Sequence, residues 1–82
     1  MATPHKSQNY GKTDTLGMRL AYLREQRRMT QLDLALEIGH MKSVIAYWER
    51  DAHVPSADVI REYAEYFGVS AHWILFGEDY ES

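Results

Sequence analysis

The chain has 82 residues, no cysteine and a formal net charge of −3. This length fits one domain, and the lack of cysteine excludes disulfides and thiolate metal sites. No apolar run approaches the ~18 residues that cross a bilayer, and residues 1–12 lack the apolar core of a secretory signal, so we expect a cytoplasmic protein with no membrane association.

The charge divides the chain into three predicted segments. Residues 1–15 are polar, without periodicity, and carry a small positive excess, which is typical of a flexible arm. Residues 16–77 hold seven Lys or Arg against eight Asp or Glu, so this predicted domain is nearly neutral. Residues 78–82 form an acidic tail with Glu78, Asp79 and Glu81.

The first two predicted helices follow from apolar spacing and caps. Leu16, Leu20 and Leu23 recur at i, i+4 and i+7, which predicts an amphipathic helix capped by Thr15. The second helix has a capping-box pattern and a glycine at its end. The residues that define it are Thr30 and Asp33 at the start, Leu34, Ala35 and Ile38 on the apolar face, and Gly39 at the stop.

Three more short helices complete an all-α prediction. The third begins near Lys42 and turns Ile45 and Trp48 inward. The fourth and fifth each have a serine cap and a glycine stop. Their residues are Ser56, Ile60, Tyr63, Ala64, Phe67 and Gly68, then Ser70, Trp73, Ile74, Leu75 and Gly77. We therefore predict one domain of five helices.

The stretch from Gln31 to Arg50 is a helix, a tight turn and a second helix. Ala35 is small enough for the next helix to cross over it, and Gly39 accepts the positive φ of the turn. Ile45 and Trp48 supply the apolar contacts that lock such a pair.

This pattern resembles the helix-turn-helix domain of the lambdoid phage repressors and Cro, a group that includes xenobiotic-response-type regulators and antitoxins. The resemblance covers residues 16–77. It rests on an ordered set of motifs: Leu16 to Leu20, Leu23-Arg24, Met29-Thr30-Gln31, Leu34-Ala35, Ile38-Gly39, Ile45, Trp48-Glu49-Arg50, Pro55-Ser56, Ala64, Phe67 to Ser70, and Trp73 to Gly77.

The resemblance implies a double-stranded DNA partner. Gln31 resembles the glutamine that bonds a phosphate at the start of the second helix, and the third helix resembles the recognition helix of the major groove. Its outward residues are Met41, Lys42, Ser43, Ala46, Tyr47 and Arg50. We expect base-edge contacts from Lys42 and Ser43, thymine-methyl contacts from Ala46 or Met41, and phosphate or base contacts from Tyr47 and Arg50.

The resemblance also implies an ion pair between Arg24 and Glu49, which joins the first and third helices. The sequence departs from the family at the turn, where His40 and Met41 replace an apolar residue and a Ser or Thr cap. It departs again after the third helix, where Ala52 and His53 replace Lys or Arg. Fewer cations in this loop predict weak non-specific affinity for DNA.

The fifth helix offers a candidate dimer surface. Trp73, Ile74, Leu75 and Phe76 are four consecutive apolar residues, and one helix face does not bury all of them. We expect Trp73 inside and Ile74 or Phe76 outside, at a homodimer interface. The alternative is that the short helix covers all four.

The four histidines lack the i,i+3 or i,i+4 spacing of a metal site, so no metal or cofactor is expected. No catalytic constellation is present, which argues against an enzyme. The sequence favours a transcriptional regulator, a repressor that binds a palindromic operator as a dimer. The alternative is an antitoxin or another interaction module that binds a regulatory protein partner, and the net acidity favours this alternative.

Overall fold

The computed structural model describes residues 14–78. They form five α-helices and contain no strand, which confirms the all-α prediction. The helices are α1 (Leu16–Gln26), α2 (Gln31–Ile38), α3 (Lys42–Glu49), α4 (Ala57–Phe67) and α5 (Ala71–Phe76). Most of the predicted arm and all but one residue of the predicted acidic tail lie outside the described residues.

Side-chain caps set the starts of four of these helices. Thr15, Thr30, Ser56 and Ser70 each accept a hydrogen bond from a backbone N–H of the first turn. The α2 cap is a reciprocal box, because Asp33 Oδ2 also accepts the Thr30 N–H at 2.8 Å. These caps confirm the starts predicted from the sequence. The exception is Met41 before α3, whose side chain makes no cap hydrogen bond.

The core collects side chains from all five helices. Its members are Leu20, Leu23, Leu34, Ala35, Ile45, Trp48, Val59, Ile60, Tyr63, Phe67, Trp73 and Ile74. Both tryptophans are buried, so they pack within the domain as predicted. Burial raises the pKa of Tyr63, whose ring lies between Trp48 and Phe67 at centroid distances of 6.2 and 5.9 Å.

The backbones of α1 and α3 meet at Gly17. A Cβ at this position would lie 2.5 Å from the Trp48 carbonyl oxygen and 2.6 Å from that of Glu49. Asp51 strengthens the contact, because its Oδ1 accepts the Gly17 N–H at 2.9 Å. The C-terminal end of α3 is therefore fixed against the first turn of α1.

Arg19 is a buried charge that joins α1 to α5. Its Nε donates to the Ile74 carbonyl at 2.7 Å, and its second terminal nitrogen, Nη2, donates to the Leu75 carbonyl at 3.0 Å. Its Nη1 pairs with Asp14 at 2.8 Å. The sequence pattern groups Arg19 with the polar residues between the leucines, yet it lies three positions after Leu16 and shares the inner face of α1. The buried guanidinium has hydrogen-bond partners, because its N–H groups donate to carbonyl oxygens at the end of α5.

This anchoring decides which apolar residues of α5 are exposed. Ile74 is 0% exposed, so its assignment to a dimer interface is wrong. Because Arg19 holds the end of α5 against α1, the neighbouring side chains of Trp73 and Ile74 both point into the core. Phe76 is 65% exposed and Leu75 is 45% exposed. Phe76 keeps its predicted place at a surface.

Candidate nucleic-acid interface

The turn between α2 and α3 is fixed from both sides. Gly39 has a φ of 77°, and the N–H groups of Gly39 and His40 both donate to the Ala35 carbonyl, at 2.9 and 3.0 Å. The His40 side chain lies 2.7 Å from Glu62 on α4, and its ring meets Trp48 edge-on at 5.1 Å. His40 therefore forms a polar contact with α4 at a turn position where an apolar residue was expected.

The residues predicted to point outward from α3 lie on its solvent-facing side. Ile45 and Trp48 point into the core. Ser43, Ala46, Tyr47 and Arg50 recur at i, i+3, i+4 and i+7, which places them in one stripe, and Met41 and Lys42 come just before them at the start of the helix. Met41, Lys42, Ser43, Tyr47 and Arg50 are exposed, and Ala46 is half-buried in the same stripe. At 1.5 Å per residue, this helix is about 12 Å long, close to the width of the B-DNA major groove.

The exposed face of α3 is positively charged although the chain is acidic. Glu49, the only acidic residue of α3, has a side chain that is 7% exposed and turned toward α1. Asp51, just after the helix, is bonded to Thr15 and Gly17 of the α1 start. The charges that α3 and its C-cap present outward are thus Lys42 and Arg50.

Glu49 is held inward by a network that joins three helices. Arg24 donates to it twice, from Nε at 2.7 Å and from Nη2 at 2.8 Å. Gln31 Nε2 donates to Glu49 Oε1 at 2.9 Å, and Arg24 Nη1 also donates to the Met29 carbonyl at 2.8 Å. These hydrogen bonds to the carboxylate raise the pKa of Arg24. The network orients α3 and fixes the position of the Gln31 side chain at the start of α2.

The start of α2 combines exposed donors with a carboxylate. Its first-turn N–H groups and its helix dipole favour an anion. Asp33 lies in that turn, and the hydrogen bond from the Thr30 N–H lowers the pKa of Asp33. The start of α2 therefore places the Gln31 amide beside the negative charge of Asp33.

A cluster that was not predicted from the sequence lies at the other end of α3. The Arg50 guanidinium lies over the Tyr47 ring at 4.8 Å, and the His53 ring meets Tyr47 edge-on at 5.1 Å. In the sequence, His53 is notable only because it occupies a position where the resembling family often has Lys or Arg. The signal that could have revealed the cluster is an aromatic residue followed three and six positions later by groups that pack on its ring.

A second surface feature lies between α4 and α5. An apolar groove of about 310 Å³ is lined by Pro55, Ala57, Ile60, Arg61, Ala71 and Leu75. Leu75 borders the groove, and the neighbouring exposed Phe76 packs against His72 with ring centroids 4.8 Å apart. The predicted dimer surface therefore contains exposed apolar side chains, with Leu75 in place of Ile74.

Metal sites and membrane spans are both absent from the described part of the chain. Residues 14–78 contain no group of three His, Asp or Glu side chains placed to hold a metal ion. No helix in this range is long and apolar enough to span a membrane.

Comparisons with known proteins agree with this geometry. A family model described as a helix-turn-helix domain matches residues 17–80, more than half of the chain. No curated protein sequence matches the chain. Among solved structures, the fold is similar to the P22 c2 repressor protein, crystallised in complex with synthetic operator 9T in the presence of Tl⁺. The TM-score is 0.75 and the identity is 23%, over 80% of this chain and 100% of that one.

Proposed function

The chain belongs to the helix-turn-helix domain family, and we propose that it is a sequence-specific double-stranded DNA-binding regulator that represses from a palindromic operator. The observation that carries this proposal is the charge of α3. In an acidic chain, the helix directs its one carboxylate inward and presents Lys42 and Arg50 outward. This arrangement suits a helix that approaches phosphates. The similar fold of the operator-bound P22 c2 repressor supports the same function.

The outward residues of α3 divide by their chemistry. Lys42 and Ser43, in the first turn, reach base edges, where Lys donates to guanine O6 or N7 and Ser bonds several bases. Ala46 and the exposed Met41 contact thymine methyl groups. Arg50, at the far end of the helix, contacts phosphate or base.

Gln31 positions the domain on one DNA strand. Its amide nitrogen uses one hydrogen for Glu49, and the second hydrogen is available to a phosphate oxygen. The neighbouring N–H groups of α2 add further donors. This contact fixes register and carries no sequence information.

The operator-bound form is a two-fold dimer in this proposal. A single recognition helix reads only a few base pairs, whereas two copies read half-sites about one helical turn apart. Leu75 and Phe76, beside the apolar groove between α4 and α5, supply exposed apolar surface for the second copy. We expect this dimer to be weak without DNA and to strengthen when both copies bind one duplex.

The salt dependence of binding to a duplex of about 30 base pairs tests the proposal. The logarithm of the association constant should fall linearly with the logarithm of salt concentration, with a slope near −0.9 per phosphate contacted. If the protein does not bind the duplex even at low salt, the proposed DNA recognition is contradicted.

Protein binding is a second candidate function, and the exposed leucines of α2 favour it. Leu32 and Leu36 lie at i and i+4 on one face, with Leu36 75% exposed. Asp33 and Glu37 lie beside them and are exposed, which suits a partner with an apolar ridge flanked by basic residues. A pull-down from cell extract, with wild type and with the Leu32→Asp/Leu36→Asp variant as bait, tests this role. A protein that wild type captures and the variant does not supports protein binding through α2. Capture of the same proteins in equal amounts by both baits contradicts it.

A further inference from the structure

We propose that His40 is a positioning residue for base reading: through Glu62 of α4, it holds the first turn of α3 in the orientation in which Lys42 and Ser43 meet the bases. The inference rests on the DNA-binding function proposed above and names a residue on which its sequence specificity depends. His40 lies in the turn between α2 and α3, immediately before the N-cap residue Met41.

The first turn of α3 lacks the side-chain cap that begins the other four described helices. The N-cap residues of α1, α2, α4 and α5 each accept a backbone N–H through a side-chain oxygen. Met41 makes no such bond, and its side chain is 68% exposed. Gly39, two positions earlier, belongs to the residue type with the widest backbone freedom. The orientation of this turn therefore depends on contacts other than a cap.

His40 supplies contacts to three helices at this point. Its backbone N–H donates to the Ala35 carbonyl of α2 at 3.0 Å. Its Nε2 lies 2.7 Å from Glu62 Oε1 on α4, and Nε2 is the donor because an ionised carboxylate only accepts. Its ring meets the Trp48 ring of α3 edge-on, with centroids 5.1 Å apart. The residue before the N-cap is thus fixed to α2, α3 and α4 together.

The same two helices meet again at the next residue of α4. The Trp48 ring also packs against Tyr63, with centroids 6.2 Å apart and an interplanar angle of 72°. Glu62 and Tyr63 are adjacent, so neighbouring residues of α4 hold the His40 and Trp48 rings. An apolar side chain at position 40 would pack against Trp48 but would form no directional bond with Glu62. The hydrogen bond is what histidine adds to the packing.

The exposure of the pair separates a positioning role from a purely stabilising one. The side chains of His40 and Glu62 are 25% and 42% exposed, so solvent compensates for part of the bond and its loss should cost little stability. Base reading, in contrast, depends on placement of the reading groups to within about 0.5 Å. Phosphate contacts carry no sequence information. Loss of the bond should therefore reduce discrimination between DNA sequences more than it reduces stability.

Titrations with two duplexes of about 30 base pairs test the proposal. One duplex is selected from a random pool with the wild-type protein, and the other is a shuffled sequence of the same composition. His40→Ala should lower affinity for the selected duplex by about three- to tenfold and leave affinity for the shuffled duplex unchanged. Circular dichroism confirms that the variant is folded. An unchanged ratio of the two affinities in the folded variant overturns the proposal.

Variants of α4 assign the effect to one hydrogen bond. Glu62→Ala should reduce the ratio as His40→Ala does, and the double variant should lose no more than either single variant, because both remove the same contact. Glu62→Gln keeps an acceptor oxygen and should retain most of the ratio. Glu65→Ala is the matched control, since Glu65 is an exposed glutamate of the same helix, and it should behave as wild type.

The outcomes distinguish this proposal from the function on which it rests. If His40→Ala does not fold, Glu62→Ala decides, and a wild-type ratio in Glu62→Ala overturns the positioning role. Losses that add in the double variant overturn it too, since they show two independent effects. In each of these cases wild type still prefers the selected duplex, so the proposed function stands. A wild-type protein that binds neither duplex overturns the proposed function as well.

Discussion

Arg24 and Glu49 form a two-point ion pair between α1 and α3, with nitrogen–oxygen distances of 2.7 and 2.8 Å. The pair has two effects. It fixes the orientation of α3 through a side chain of α1, and it removes the one carboxylate of α3 from the proposed DNA surface. Under the proposed function, stability and DNA affinity therefore depend on the same contact.

Arg24→Ala should lower the free energy of unfolding by about 1–3 kcal/mol, because Glu49 is left nearly buried without its partner. It should also weaken duplex binding, since the pair that fixes the orientation of α3 against α1 is lost. Urea unfolding followed by circular dichroism measures the first effect, and duplex titration measures the second.

The double variant Arg24→Met/Glu49→Leu is the control for that prediction. Replacing both members of a buried pair with apolar residues is often nearly neutral, so this variant should be more stable than Arg24→Ala alone. A single variant with wild-type stability would show that solvent compensates for the lost pair.

Gly17→Ala should destabilise the domain despite the higher helix propensity of alanine. Its Cβ would overlap the backbone carbonyls of Trp48 and Glu49 at 2.5 and 2.6 Å, and overpacking of this kind costs about 1–3 kcal/mol. Thermal unfolding measures the loss. Gly39→Ala separates conformation from overlap, because Gly39 has φ 77° and a Cβ added there would meet no atom within 4 Å. It should cost about 1–2 kcal/mol through the left-handed backbone conformation alone. A Gly17→Ala variant with wild-type stability would contradict the close approach of α1 and α3.

Lys42→Ala and Ser43→Ala should each weaken specific binding by about 1–3 kcal/mol. Both side chains are exposed at the start of α3, so the unfolding transition should not move. Titrations with a selected duplex and with a shuffled duplex separate specific from non-specific loss. If both variants bind the selected duplex like wild type, α3 does not read the bases.

Phe76→Asp should abolish dimer formation on DNA and leave the fold intact, because the side chain is 65% exposed. A charge there prevents burial against a second copy. Sedimentation of wild type and variant, free and with duplex, measures the assembly. A wild-type protein that stays monomeric and occupies a single site without two-fold symmetry rules out the dimer.

The helix boundaries were predictable because they depend on local chemistry. A serine or threonine cap and a glycine at positive φ act within a few residues, so Thr30 and Gly39 identify the start and end of α2 from the sequence alone. The placement of Ile74 depends instead on contacts between distant segments. Arg19, 55 positions earlier, bonds its carbonyl, and no periodicity within α5 contains that information.

The outward face of the candidate site was predictable from the sequence, but the packing of its side chains on one another was not. The spacing of Ile45 and Trp48 leaves Lys42, Ser43 and Arg50 outward whatever surrounds the helix. That His53 packs against Tyr47 depends on the path of the loop after α3. Rings separated by six positions meet only when that loop folds back, and spacing does not specify the path.

Selection of bound duplexes from a random pool tests sequence-specific recognition most directly. We predict an enriched motif with two half-sites related by a two-fold axis and centred about 10 base pairs apart. Selection with Lys42→Ala should relax the preference at one position in each half-site. A pool that returns no enriched sequence after repeated rounds with the full chain would contradict the account.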